Sequence, residues 1–215
     1  MSMNVLIIGA GGQIARVATA LFLDTTDAHL TLYLRKAKRL DRTSTNRVRV
    51  VEGDALDLPA LTSAMIGQDV VYANLDGRLE VMAENIVAAM RETGVRRVIF
   101  VSSMGIYGEI PGEPYRGILD PYRDGAAVIE ASGLDYTIIR PAWLSNKDEI
   151  AYGTTRKGEP FKAKDETVSR KSVADLIVKL ATTPGLEIGS SLGVHKAVIQ
   201  PSTNRAAMPA SATAV

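Results

Sequence analysis

The chain has 215 residues, of which 46% are hydrophobic and 23% are charged, a balance typical of an ordinary globular domain. Its 25 basic and 24 acidic residues give a net charge of +1, so no overall field favours nucleic acid or an anionic membrane. Cysteine is absent, which excludes disulfides, thiolate metal sites and cysteine nucleophiles.

The first apolar run, Val5–Ile8, is short and is followed by glycines. It is too short for the core of a signal peptide, and no basic residue precedes it. No segment approaches the roughly 18 apolar residues that a membrane span requires. We therefore expect a soluble, cytoplasmic protein.

Predicted strands and helices alternate along the chain. Apolar runs and alternating patterns predict strands at 5–8, 29–35, 47–54, 69–75, 96–103 and 135–141. Helical spacing of apolar residues predicts helices at 13–23, 59–67, 79–94, 122–133 and 172–184. Residues 105–121, rich in glycine and proline, form a predicted loop, and 142–168 is expected to add short strands or loops.

This alternation predicts an α/β fold, with a doubly wound, mostly parallel sheet and helices on both faces. The pattern indicates a single domain over residues 1–200. Residues 201–215 are low in bulky apolar side chains and are predicted to be a C-terminal tail.

The first strand is followed by "GAGGQIA", a glycine-rich turn that leads into the first helix. The spacing Gly9-x-x-Gly12-x-x-Ala15 suits a dinucleotide site. Glycine permits a tight exit and close approach of a pyrophosphate, and alanine permits close helix packing. A glycine-rich turn without a ligand is the alternative. The predicted cofactor contacts in this turn are Gly9, Gly11, Gly12, Gln13 and Ile14.

The second strand ends in "LYLRKAKRL". The end of this strand is where dinucleotide-binding folds distinguish NAD from NADP. Arg35 and Lys36 follow the strand directly, and no acidic residue occurs before Asp41. Guanidinium and ammonium groups suit a 2′-phosphate, so the pattern favours NADP, with NAD possible. A solvated basic surface is the alternative.

Residues after the third and fourth strands are further candidates for cofactor binding. Asp54 and the amide of Ala55 are placed to meet the adenine edge, although Asp54 or Asp57 could instead begin the next helix. Leu75 ends the fourth strand, where ligands of such sheets bind. His29 and His195 have no partners at ligand spacing, so we expect no metal site.

The chain resembles the atypical short-chain dehydrogenase/reductases, in the NAD(P)H-binding (NmrA-like or flavin-reductase-like) branch. The resemblance covers about residues 3–182 and implies a Rossmann fold, NADP(H) binding, and reduction of a small carbonyl, quinone or flavin-like acceptor. It rests on five segments that occur in the family's order: "GAGGQIA", "LYLRK", "EGDALD", "VIFVSSMGIYGE" and "SGLDYTIIRPAWL".

The resemblance also implies two catalytic residues. The active-site hydroxyl falls on Ser103, and the tyrosine of a Tyr-x-x-x-Lys pair falls on Tyr122, with Ala126 at the lysine position. Tyr107 and Tyr115 are competing phenols. The alternatives are structural roles, with Tyr122 packing at a helix start and the Ser103 hydroxyl satisfying backbone at a strand end. A tyrosine without a neighbouring cation titrates near its ordinary value of about 10, so Tyr122 is a poor base at neutral pH but can donate a proton.

These features leave two functions open. One is an NADP(H)-dependent oxidoreductase for acceptors that need little acid catalysis. The other is a dinucleotide-binding redox sensor that regulates a partner without turnover. Such a regulator does not need the Tyr–Lys pair for proton transfer. An epimerase or dehydratase is disfavoured because it needs a strong base. We expect a monomer or homodimer.

Overall fold

The computed structural model describes residues 2–39 and 45–197. In this part of the chain, eight strands form one sheet in the order β3-β2-β1-β4-β5-β6-β10-β8, and β7 and β9 form a separate pair. The strands are β1 (Asn4–Ile8), β2 (His29–Leu34), β3 (Val48–Glu52), β4 (Val70–Ala73), β5 (Arg97–Val101), β6 (Asp135–Pro141), β7 (Leu144–Ser145), β8 (Tyr152–Arg156), β9 (Val168–Ser169) and β10 (Ser190–Lys196).

Helices cover both faces of the sheet. They are α1 (Gln13–Thr25), α2 (Leu58–Met65), α3 (Leu79–Thr93), α4 (Asp120–Glu130) and α5 (Arg170–Thr182). Strand residues such as Val5 and Ile7 pack with α1 and α5 in one apolar layer, and Leu6 and Ile8 pack with α2, α3 and α4 in the other. This two-sided burial explains why β1 is a continuous apolar run rather than an alternating one.

The predicted doubly wound architecture is confirmed. β1 lies between β2 and β4, and all three are parallel. The chain therefore winds outward in both directions from the β1–β4 crevice, the point where such folds bind ligands at the carboxyl ends of their strands. None of the helices in the described residues is long and apolar enough to cross a membrane.

The C-terminal part of the sheet was not predicted in detail. β10 runs parallel to β6, and β8 pairs antiparallel with β10. The β10 sequence "SSLGVHK" lacks a clear apolar pattern, but the ring of Phe161 packs over Gly193 and compensates for the missing side chain. Helix α4 begins at Asp120, two residues before the predicted start at Tyr122. The predicted tail, 201–215, lies outside the described residues.

A fully buried arginine holds the loop after β5 against this part of the sheet. The side chain of Arg140, on β6, is 0% exposed and pairs with Glu109, which is 6% exposed. Its Nε donates to Ser191 Oγ at 3.1 Å. The Glu109 carboxylate also accepts from the backbone N–H groups of Gly105 and Tyr107, at 3.0 and 2.9 Å. One carboxylate thus sets the shape of residues 105–109.

Removal of the buried cation should destabilise the fold. Arg140→Met leaves the Glu109 carboxylate buried without its partner, and we expect the free energy of unfolding to fall by about 3–5 kcal/mol. Arg96→Met is the matched control, since Arg96 is 64% exposed and meets Asp135 at 3.5 Å. The Arg96→Met variant should lose less than about 1 kcal/mol of the free energy of unfolding. Urea denaturation measures both, and equal losses would contradict a structural role for the buried pair.

Candidate functional site: a dinucleotide groove and an adjoining cleft

A groove of about 490 Å³ opens at the carboxyl ends of β1 to β4. It brings together the glycine turn, the basic residues after β2, and the polar residues after β3 and β4. Its lining residues include Gly9, Gly11, Gly12, Arg16, Arg35, Lys36, Asp54, Ala55, Asn74, Leu75 and Asp76.

The glycine turn is shaped by its contact with the segment after β4. Gly9 has a φ of +80°, and a Cβ on it would overlap the carbonyl oxygen of Asn74. A Cβ on Gly12 would overlap the amide nitrogen of the Asn74 side chain. The turn therefore needs glycine at position 9 even before a ligand is considered, whereas a Cβ at position 12 would require the Asn74 side chain to move. Ala15, the small third residue, is fully buried in α1.

Arg35 and Lys36 lie at the rim of the groove, directly after β2, and both are exposed. Within the described residues, no ion pair or hydrogen bond engages either side chain. Two cations in this position are available to a phosphate at the groove.

The residues after β3 line the groove beside those that follow β2. The backbone N–H of Leu56 donates to Asp54 Oδ1 at 3.0 Å, whereas Asp57 caps α2 through Ala60. The helix start thus belongs to Asp57, and Asp54 closes a turn at the groove. The Tyr33 hydroxyl donates to the Asp54 carbonyl at 2.9 Å. Burial and the nearby Asp57 and Asp54 raise the pKa of Tyr33 to about 12, so it remains a donor.

A second cleft, of about 730 Å³, lies past the ends of β4 and β5 and shares Asp76 with the groove. Ser103 and Tyr122, the two predicted catalytic residues, both line it, and so does Ile14. The Oγ of Ser102 donates to the Tyr122 carbonyl at 3.1 Å, which ties the end of β5 to the start of α4. Apolar side chains flank the cleft: Ile118 is 80% exposed and Trp143 is 59% exposed.

The Tyr122 hydroxyl donates to Asp76 Oδ1 at 3.0 Å. Partial burial and this carboxylate raise the pKa of Tyr122 above its usual value near 10. The phenol is consequently protonated throughout the neutral range, as the sequence predicts for a tyrosine without its lysine. Its single proton is held by Asp76, so a group in the cleft can receive that proton only by replacing this contact.

The two competing phenols have different positions. Tyr107 donates to Glu130 at 2.8 Å and lies beneath Arg140, and it lines neither the groove nor the cleft. Tyr115 donates to Asp120 at 2.7 Å and lines a smaller cavity of about 150 Å³ under the loop before α4. Ser103 lines this smaller cavity as well as the cleft, and its Oγ donates to the Met104 carbonyl at 3.2 Å.

Position 126, where the resemblance places the lysine, faces the core. Ala126 is 0% exposed and packs in the apolar layer between α4 and α3. Neighbouring Gly125 lies against Leu79, with a Cβ at position 125 about 3.1 Å from Leu79 Cβ. A lysine at 126 would be buried in this layer, so the missing cation is a consequence of how α4 packs here.

Most predicted cofactor residues therefore line the groove, and Ile14 lines the adjoining cleft. Gln13 is exposed at the start of α1 and lines neither cavity. Three charged lining residues were not singled out from the sequence: Arg16, Asp76 and Arg170. Asp76 lies three residues beyond the end of the fourth strand, a position that could have identified it. The described residues contain no cluster of three or more His, Asp or Glu able to hold a metal ion.

The fold and groove are those of a Rossmann-type dinucleotide-binding protein. A family model described as NAD(P)H-binding matches residues 9–184, and the chain belongs to this family. This membership agrees with the resemblance found in the sequence.

Three similar proteins illustrate the family. A Rossmann-fold NAD(P)-binding family protein from Shigella flexneri is 42% identical, with a TM-score of 0.81 over 94% of this chain and 98% of that one. A short-chain dehydrogenase/reductase from Veillonella parvula, solved with NADP, is 33% identical, with a TM-score of 0.81 over 91% and 95%. A Bacillus subtilis protein named as an uncharacterized sugar epimerase is 30% identical over 82% of this chain and 86% of its own.

Gly9 and Gly11 of the turn should differ in their tolerance of a methyl group. In Gly9→Ala, the alanine would have to adopt the positive φ of Gly9, and its Cβ would clash with the Asn74 backbone. We therefore expect a loss of about 1–3 kcal/mol in the free energy of unfolding. Gly11→Ala is the control, because its Cβ would meet only Leu34 Cδ1 at 3.5 Å, an ordinary contact. Thermal or urea unfolding compares them, and a Gly9→Ala variant as stable as Gly11→Ala would refute this account of the turn.

Proposed function

We propose that the protein is an NADP(H)-dependent oxidoreductase that reduces a small carbonyl, quinone or flavin-like acceptor. The observation that carries the proposal is that the two cavities adjoin at Asp76, which lines both of them. The groove holds the phosphate-binding turn and two unpaired cations among the described residues, and it adjoins a cleft with a protonated phenol and an apolar wall.

The groove fits a dinucleotide. Gly9 and Gly12 present backbone where side chains would exclude a pyrophosphate, and the N-terminus of α1 supplies free N–H groups and a partial positive charge. Arg35 and Lys36 supply positive charge where the 2′-phosphate of NADP would lie. The Veillonella relative was solved with NADP, which supports the same choice.

The cleft suits a planar, largely apolar acceptor. Trp143 and Ile118 offer exposed apolar surface on which a flat ring can stack, and Arg170 adds one cation at the far side. When bound, the nicotinamide supplies a hydride, while Tyr122 or solvent supplies the proton. Ser103 also lines the cleft, and its hydroxyl would turn from the Met104 carbonyl to donate to the acceptor oxygen. Quinones and flavins need the least help from such an acid.

The cofactor assignment is tested by reversing one charge. Arg35→Asp should weaken NADP binding at least about tenfold and change NAD binding much less, because only NADP carries the 2′-phosphate. Calorimetric titration with NADP⁺, NADPH, NAD⁺ and NADH measures the difference. The Lys38→Asp variant is the matched control, since Lys38 is exposed nearby but does not line the groove. Equal losses for NADP and NAD in Arg35→Asp would overturn the assignment.

The role of Tyr122 depends on the acceptor. Tyr122→Phe should lower kcat with an aldehyde about a hundredfold, the usual contribution of a general acid, and change kcat with a quinone much less. Because the pKa of Tyr122 is raised, the wild-type aldehyde rate should show no loss from phenol ionisation between about pH 6 and about pH 9. Steady-state rates at saturating NADPH test both points. Equal losses with the two acceptors would argue against proton donation by Tyr122.

A redox-sensing regulator is the second candidate. The burial of Ala126 supports it, because no lysine can complete a proton relay with Tyr122 from that position. Tight dinucleotide binding without NADPH oxidation across quinones, flavins and aldehydes would favour the sensor. Oxidation of NADPH with any one of them would favour the reductase.

An epimerase fits the cleft less well, although the Bacillus relative's name includes that activity. An epimerase that works through a transient ketone must first remove a hydroxyl proton, which calls for a base. Tyr122 is held protonated by burial and by Asp76, which raise its pKa, and this opposes such a role.

A further inference from the structure

Asp76 occupies the junction between the groove and the cleft. It lies three residues beyond the end of β4, lines both cavities, and is exposed. A ligand that extends from one cavity into the other must pass this carboxylate.

The two oxygens of the Asp76 carboxylate have different surroundings. Oδ1 accepts from the Tyr122 hydroxyl at 3.0 Å and from the backbone N–H of Gly77 at 2.9 Å. Within the described residues, no donor reaches Oδ2. An ionised carboxylate has about four acceptor positions, so Asp76 is anchored through one oxygen and available through the other.

The topology decides which part of a dinucleotide would meet this oxygen. Arg35 and Asp54 follow β2 and β3, so they lie on the adenosine side of the β1–β4 crevice. A dinucleotide spans such a crevice, and its other half therefore lies beyond β4. Asp76 follows β4 and adjoins Tyr122 and Ser103 in the cleft. The sugar that carries the nicotinamide would pass there.

The lysine position of α4 cannot contribute to this sugar site. In the Tyr-x-x-x-Lys arrangement a lysine holds the nicotinamide ribose, but Ala126 faces the core. A ribose has two hydroxyl donors, and a carboxylate accepts from such a pair at the adenosine ribose of many NAD-binding proteins. The same chemistry is available at Asp76.

We propose that Asp76 binds the hydroxyls of the nicotinamide ribose through Oδ2, with Tyr122 and the Gly77 N–H holding the carboxylate in place. This inference rests on the proposed function, because it assumes a dinucleotide in the groove. It assigns the sugar site to Asp76, in the segment after β4, instead of to the lysine position of the helix that carries Tyr122.

The test compares a whole cofactor with its adenosine half. NADPH and 2′,5′-ADP share the adenosine and the 2′-phosphate, but 2′,5′-ADP lacks the nicotinamide ribose. In calorimetric titrations, Asp76→Ala should raise the Kd for NADPH about tenfold or more and leave the Kd for 2′,5′-ADP within about twofold. Asp24→Ala is the control, since Asp24 is exposed and lines neither cavity, and it should change neither Kd.

The outcomes separate this inference from the proposed function. If wild-type protein binds both ligands and Asp76→Ala retains its NADPH affinity, the Asp76 site is wrong and the groove assignment stands. Equal weakening of both ligands would likewise overturn it, because a ribose contact cannot affect 2′,5′-ADP. If wild-type protein binds neither ligand, the cofactor assignment falls, and the Asp76 site falls with it.

Discussion

At the centre of the sheet, the turn after β1 and the segment after β4 are in direct contact, and the Asn74 carbonyl lies where a Cβ of residue 9 would be. This contact requires the positive φ of Gly9 and brings the carboxyl ends of the two strands together. Because the chain winds outward in both directions from this point, the crevice above it is open to a ligand. The groove, the cleft and the position of Asp76 between them all depend on that approach.

Charged side chains have different surroundings near Arg140 and at the groove. Around Arg140 they are buried and fully paired, and they hold the loop after β5 against β6, β8 and β10. Around the groove, Arg35 and Lys36 are exposed at the end of a strand. Buried pairs stabilise one conformation of the loop that bears the cleft, and exposed cations are available to a ligand without loss of stability.

The chemistry of the cleft follows from the packing of α4. This helix presents Ala126 to α3 and Tyr122 to the cleft, so the phenol has a carboxylate beside it in place of a cation. A carboxylate raises the pKa of the phenol, whereas a cation would lower it. The phenol therefore stays protonated at neutral pH, which agrees with the proposed reductase and opposes abstraction of a proton.

The sequence by itself determined the α/β class, the central strands, and the glycine turn followed by basic residues, because each depends on local periodicity or on a short spacing. Predictions failed or stopped where contacts are distant in sequence. β10 is weakly patterned and forms a strand because β6 and β8 pair with it. Only the tertiary structure distinguished Tyr122 from Tyr107 and Tyr115, turned position 126 inward, and placed Asp76 beside Tyr122, 46 residues away. Which side chains share a cleft is decided by the packing of helices on the sheet.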